Sequence, residues 1–143
     1  MAIWKQPIDL EAIMQRGKGT LSDHLNIRFT DFTDNSLVAV MPVIAQVHQP
    51  IGIMHGGASC VLAETVGSVA AQFCIDMSRY YCVGLDINTS HLRAVSAGDV
   101  TATATPHHLG RSTQVWQIQT VDEAMHTIAV TRLTMAVLDK KKI

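Results

Sequence analysis

The chain has 143 residues, a formal net charge of -1 and only 16% charged side chains, against roughly 25% in an average soluble protein. That length suits a single domain spanning 1–143. A hydrophobic content of 48% excludes intrinsic disorder, and the near-neutral charge argues against a nucleic-acid partner. So little charge on so small a surface implies that another subunit covers part of it.

Three cysteines, Cys60, Cys74 and Cys82, form an odd set without C-x-x-C spacing. They point away from a disulfide framework and from a structural zinc site. The opening residues Met1–Lys5 lack the charged-then-apolar run of a signal peptide, and a reducing cytoplasm is expected.

In chain order, residues 8–16 read as a short helix with Asp9 as N-cap, Leu10, Ile13 and Met14 on one face, and Gly17 as its stop. Thr20–Leu25 suits another helical turn. Asn26–Thr33 alternates Ile27 and Phe29 against Arg28 and Thr30, as a strand does. After an Asp34-Asn35 turn, Ser36–Val43 gives a second strand ending at Pro42. Gln46–Met54 is a loop. Gly56-Gly57 opens a long apolar helix expected to run to about Met77. Tyr80–Val95, Asp99–Pro106, Ser112–Val121 and His126–Leu138 read as four strands, with a turn at Asp122-Glu123.

From Gly57 to Ile75, a stretch of 19 residues, the only charge is Glu64. The length would just cross a bilayer, but a mid-membrane carboxylate is costly and the rest of the chain alternates like sheet. A helix apolar nearly all round is the core of a globular fold. The last connections are too short for helical crossovers, so the strands are antiparallel neighbours. The expected class is therefore α+β, an antiparallel sheet of five to six strands wrapped around one central helix.

Glu64 sits about two turns into that helix, with the Ser68 hydroxyl on the same face at i+4. A buried carboxylate must be hydrogen-bonded, protonated or facing a cavity, so Glu64 is either a satisfied structural acid or a general base or nucleophile. Upstream stands Gln49-Pro-Ile-Gly-Ile-Met-His55-Gly56-Gly57. Glycines at a helix start let a ligand approach, and the unpaired first N–H groups favour a developing oxyanion. His55 is either a helix cap or a polar site residue. Glu64 lies eight residues beyond Gly56, about 12 Å along the axis, so one carbonyl cannot touch both within one chain. If both serve one substrate, they come from two antiparallel helices of a two-fold dimer with composite sites. The segments Gly84-Leu-Asp-Ile-Asn, His91-Leu92-Arg93 and His107-His108-Leu109-Gly110-Arg111-Ser112-Thr113 read either as solvated loop or as ligands for phosphate. His107-His108 lacks the companions of a metal pair.

Together these residues resemble the PaaI-like hotdog-fold acyl-CoA thioesterases. The likeness runs from Trp4 through Leu138. It rests on Gln49-Pro with His55-Gly-Gly-Ala-Ser, Leu62-Ala-Glu64-Thr-Val-Gly-Ser68, Gly84-Leu-Asp-Ile-Asn, His91-Leu-Arg93, His108-Leu-Gly110 and Gln114-Val-Trp-Gln-Ile. It is nearest the branch holding the dihydroxynaphthoyl-CoA hydrolases of menaquinone biosynthesis and the enterobactin-pathway proofreading thioesterases. The resemblance implies hydrolysis of an aromatic acyl-CoA or acyl-carrier thioester. Glu64 would be the catalytic carboxylate, Gly56 the oxyanion donor, and His55, Gln49 and Ser68 would order the thioester or the water. Gly84, His91, Leu92, Arg93, Ala94 and His108, Leu109, Gly110, Arg111, Ser112, Thr113 would contact the CoA arm. It further implies a dimer of dimers and no metal or cofactor. Some relatives carry Thr or Asn at the place of Ser68, and Asp at that of Glu64.

Two other readings stay open on sequence grounds. One is a hydratase or dehydratase on the same fold, though no second acid accompanies His55. The other is a non-catalytic acyl-CoA sensor, for which Lys140–Lys142 is the only basic run and reads as a frayed terminus.

Overall fold

A computed structural model describes residues 1–142. Two short helices, α1 (Leu10–Arg16) and α2 (Leu21–His24), precede strands β1 (Arg28–Phe32) and β2 (Leu37–Pro42). A single 3-10 turn at Ala45–Val47 leads to the long helix α3 (Gly56–Phe73). Strands β3 (Tyr80–His91), β4 (Asp99–Leu109), β5 (Thr113–Val121) and β6 (Thr127–Asp139) follow. The six strands form one antiparallel sheet in the order β1-β2-β4-β5-β6-β3. The sheet curls around α3, which touches five of the strands or their loops, as the long apolar pattern requires.

Local chemistry sets the element ends. The Asp9 carboxylate accepts from the Ala12 N–H at 3.0 Å and caps α1. α3 stops at Phe73, short of the expected Met77, although the apolar run continues through Cys74 and Ile75. The Asp76 carboxylate takes the Ser78 N–H and hydroxyl instead, turning the chain towards β3. β3 ends at His91 rather than Val95, because the Leu92 and Arg93 N–H groups both converge on the Ile128 carbonyl. β4 runs past Pro106 to Leu109 across a bulge between Pro106 and His108, so His107, His108 and Leu109 are strand and only the residues after them turn.

The core lies between α3 and the concave sheet face. Leu62, Ala63, Val66, Ala70 and Ala71 meet Leu37, Met41, Val100, Trp116, Ile118 and Leu133, all fully buried. Gly67 lets the helix sit down on the sheet: a methyl there would stand 2.6 Å from Leu133 Cδ2. The one long polar side chain in this core is paired. Gln114 accepts from the Trp116 indole N–H at 2.9 Å and donates to the Ala71 carbonyl at 3.4 Å. Among the described residues no helix is long and apolar enough to cross a membrane.

Candidate active site

α3 lies antiparallel to β3, and three contacts fix that lie. Gly56 packs on the His91 ring, Glu64 on Gly84, and Gln72 Oε1 accepts from the Cys82 N–H at 2.9 Å. Gly56 and Glu64 are thereby placed against the edge strand of the sheet, while the Ser68 hydroxyl meets Glu64 and Met135 of β6.

The Gly-Gly pair at the helix start has a specific cause. His55 is the N-cap, and its Nδ1 accepts from the Gly57 N–H at 2.8 Å. That bond puts the ring proton of the neutral imidazole on Nε2, where it can donate to a ligand. A methyl on Gly57 would press on His55 Nδ1 at 3.0 Å, and one on Gly56 would stand 2.9 Å from His91 Nε2. The Ala58 N–H is bonded to the His55 carbonyl, but the Gly56 N–H has no partner among the described residues. It is a free donor at the positive end of an 18-residue helix.

Beside it lies a cleft of about 350 Å³, lined by Gln49, Gly56, Ser59, His91, Arg93 and Ile128 among others. Leu92 and Ala94 line it too, so the expected cluster from His91 to Ala94 and the expected pair Gln49 and Gly56 share one cavity. Ser59 closes the His55-Gly-Gly-Ala-Ser motif, and the sequence assigns it no role of its own. Its hydroxyl is buried without a hydrogen-bond partner, on the same helix face as Leu62, Ala63 and Val66. A polar residue on that apolar face is the signal that could have found it.

Glu64 is half-buried, and the Ser68 hydroxyl donates to its Oε1 at 3.2 Å. Gly84, expected along the CoA arm, lies against this carboxylate, where a methyl group would collide with Oε1. That contact depends on how α3 lies along β3, so no local motif announces it.

The structure keeps two sets of candidates apart within the chain. Gly56 and Glu64 both belong to α3, about 12 Å apart along its axis. His91 pairs with Ala129 of β6, whereas Thr113 pairs with Ala136 of the same strand. Those positions are about 23 Å apart along the strand. Gly110, Arg111 and Ser112 line hollows with Tyr80 and Val137 at that far end, with His108 and Leu109 ahead of them on β4.

A family model for the thioesterase superfamily matches residues 51–129. The chain belongs to this superfamily; it has the hotdog fold and is a thioesterase. It is 45% identical over 136 residues to the 1,4-dihydroxy-2-naphthoyl-CoA hydrolase of Escherichia coli, covering 95% of this chain and 99% of that one. It is 44% identical over 136 residues to a proofreading thioesterase of Cronobacter turicensis, covering 95% and 98%. A crystal structure of a thioesterase variant from Pseudomonas aeruginosa superimposes with a TM-score of 0.96 at 48% identity, covering 96% and 99%.

Proposed function

We propose that the protein hydrolyses an aromatic acyl-CoA, of the 1,4-dihydroxy-2-naphthoyl or hydroxybenzoyl type, to the free acid and CoA. The observation that carries this is the pairing of a free helix N-terminal donor with a single carboxylate on an otherwise uncharged helix. The thioester oxygen accepts from the Gly56 N–H, where the helix dipole stabilises the oxyanion. Glu64, oriented by Ser68, either attacks the carbonyl carbon or takes a proton from the attacking water. His55 Nε2–H and the Gln49 amide hold the thioester from the other side. Collapse of the intermediate breaks the C–S bond and releases the CoA thiolate. Where Glu64 has attacked, the acyl group is left on its carboxylate as a mixed anhydride, which water then hydrolyses to the free acid and the regenerated carboxylate.

The two separations within one chain are both resolved by one two-fold axis. β3 is a 12-residue edge strand whose Val83, Leu85 and Ile87 are exposed. So long an apolar edge is a template for pairing. If β3 pairs antiparallel with β3 of a second copy, each helix start faces the partner's carboxylate. The same operation brings the His91 end of one chain to the Gly110–Thr113 end of the other. Arg93 and Arg111 then flank a single anionic CoA arm. The outer sheet face, with Thr101, Thr103, Thr105, Gln117 and Gln119, is almost uncharged and suits packing of dimer on dimer. Three free thiols suit a cytoplasmic setting.

The likeness to the proofreading thioesterase supports a second substrate form, the same acyl group on an aryl carrier protein, because both carriers present a phosphopantetheine thioester. Thiol release from a panel of aryl-CoA and aliphatic acyl-CoA thioesters, plus one aryl carrier protein, separates these. In the same assay Glu64→Gln lowers kcat by about 100-fold or more while KM changes little. An undiminished kcat removes Glu64 from the chemistry.

A further inference from the structure

We propose that the cavity beside Ser68 receives the acyl group and selects for an oxygen acceptor at its far end, held by Gln72 and Arg16. This rests on the thioesterase mechanism assigned to Glu64 above. The cavity, of about 370 Å³, lies between α1, β1, α3 and the start of β3. Its lining includes Ser68, the residue that donates to Glu64, so it opens beside the reacting atoms. Ile13, Phe29, Val69 and Phe73 give it apolar walls suited to a planar ring.

Two of its polar groups, the Gln72 amide and the Arg16 guanidinium, carry hydrogens with no acceptor among the described residues, while the Ser22 hydroxyl is paired with Thr20 Oγ1 at 3.1 Å. Gln72 stands one turn beyond Ser68, about 6 Å along the helix. Its Oε1 is committed to the Cys82 N–H, which fixes the orientation of the amide. The Nε2 hydrogens are left without an acceptor among the described residues. Arg16, in the last turn of α1, lines the same cavity and has no carboxylate within ion-pair distance among the described residues. Thr65 does not compete for a ligand as a donor, because its hydroxyl proton goes to the Val61 carbonyl at 2.7 Å. Gln72 thus offers an unspent donor about one ring length from Ser68, and Arg16 offers a second on the lining of the same cavity. An acyl group ending in hydrogen leaves the Gln72 amide hydrogens unpaired beside it, whereas a ring hydroxyl accepts from them and from the solvent-exposed Arg16 guanidinium.

The experiment compares kcat/KM for 4-hydroxybenzoyl-CoA and benzoyl-CoA in the unsubstituted protein and in Arg16→Met and Gln72→Leu. The ratio of the two substrates is followed because their different intrinsic reactivity cancels between variants. Each substitution lowers the hydroxybenzoyl-to-benzoyl ratio by about tenfold. Gln72→Leu also orphans the Cys82 N–H, so Arg16→Met, at an exposed position, carries the test if the former fails to fold. Release of CoA from both substrates with an unmoved ratio in Arg16→Met overturns the cavity assignment alone. No release from either substrate overturns the aromatic acyl-CoA reading, and the assignment falls with it.

Discussion

A methyl group on Gly84 would stand 2.5 Å from Glu64 Oε1, so the edge strand sets the position of the acid on the helix. Gly84 does not have the positive backbone angle that only glycine readily adopts, so alanine fits the backbone there. The collision must then be relieved by the carboxylate, which is the end of a flexible side chain. Displacing a catalytic group by about 1 Å costs on the order of 100-fold in rate. Gly84→Ala is therefore expected to lower kcat by about 10- to 100-fold while KM and melting temperature barely move. An unchanged kcat would mean that the carboxylate acts from a place clear of Gly84.

The proposed two-chain site makes a complementation prediction. Gly56→Pro removes the proposed oxyanion donor at the first helical position, where proline suits the helix backbone and its Cβ is accommodated by a shift of the His91 ring. Glu64→Ala removes the acid. Each variant alone is expected to be inactive. In an equal mixture of exchanged dimers, half are mixed and each mixed dimer has one intact site, so about a quarter of wild-type activity returns. Mixed dimers isolated by two different tags and found inactive would place both groups in one chain's site.

Legibility in the sequence followed the range of the interactions. The Asp9 cap, the helix start at Gly56 and the Glu64–Ser68 pair are neighbours within four residues, and spacing alone reveals them. The helix end misled because Cys74 and Ile75 prolong the apolar pattern, while the Asp76–Ser78 turn that ends it is a side-chain bond with no hydrophobic signature. His107–Leu109 looked like loop because Pro106 precedes it, yet pairing with Gln114 and Val115 carries the strand through a bulge. The contacts of Gly84 with Glu64 and of Gly56 with His91 join residues 20 and 35 positions apart in sequence. They depend on how a helix lies along a strand that comes later in the chain, and periodicity carries no record of that.

Ser59 makes a prediction about stability. Its buried hydroxyl has no hydrogen-bond partner, and such a group costs roughly 1–3 kcal/mol of desolvation. Ser59→Ala removes the orphan atom and leaves a volume no larger than a hydroxyl. Stability is expected to rise by about 1 kcal/mol, or about 2–4 °C in Tm for a domain of this size. A fall in Tm would show that the hydroxyl is satisfied in solution.

The alkaline limit of stability should be set in part by two thiols. Burial pushes Cys74 up to about 12, with the neighbouring Cys82 adding to the shift, and burial pushes Cys82 up to about 11. The unfolded chain releases both protons near the ordinary thiol value of 9.0. Below that pH both states hold the protons, and the thiols' contribution to stability is fully present. Above it the unfolded state alone loses them, so stability declines as pH rises from about 9 through 11. Denaturation midpoints measured under reducing conditions from pH 8 to 11 should fall less steeply for Cys74→Ala/Cys82→Ala than for the wild type. Parallel profiles would mean that both thiols ionise as readily in the folded protein as in the unfolded chain.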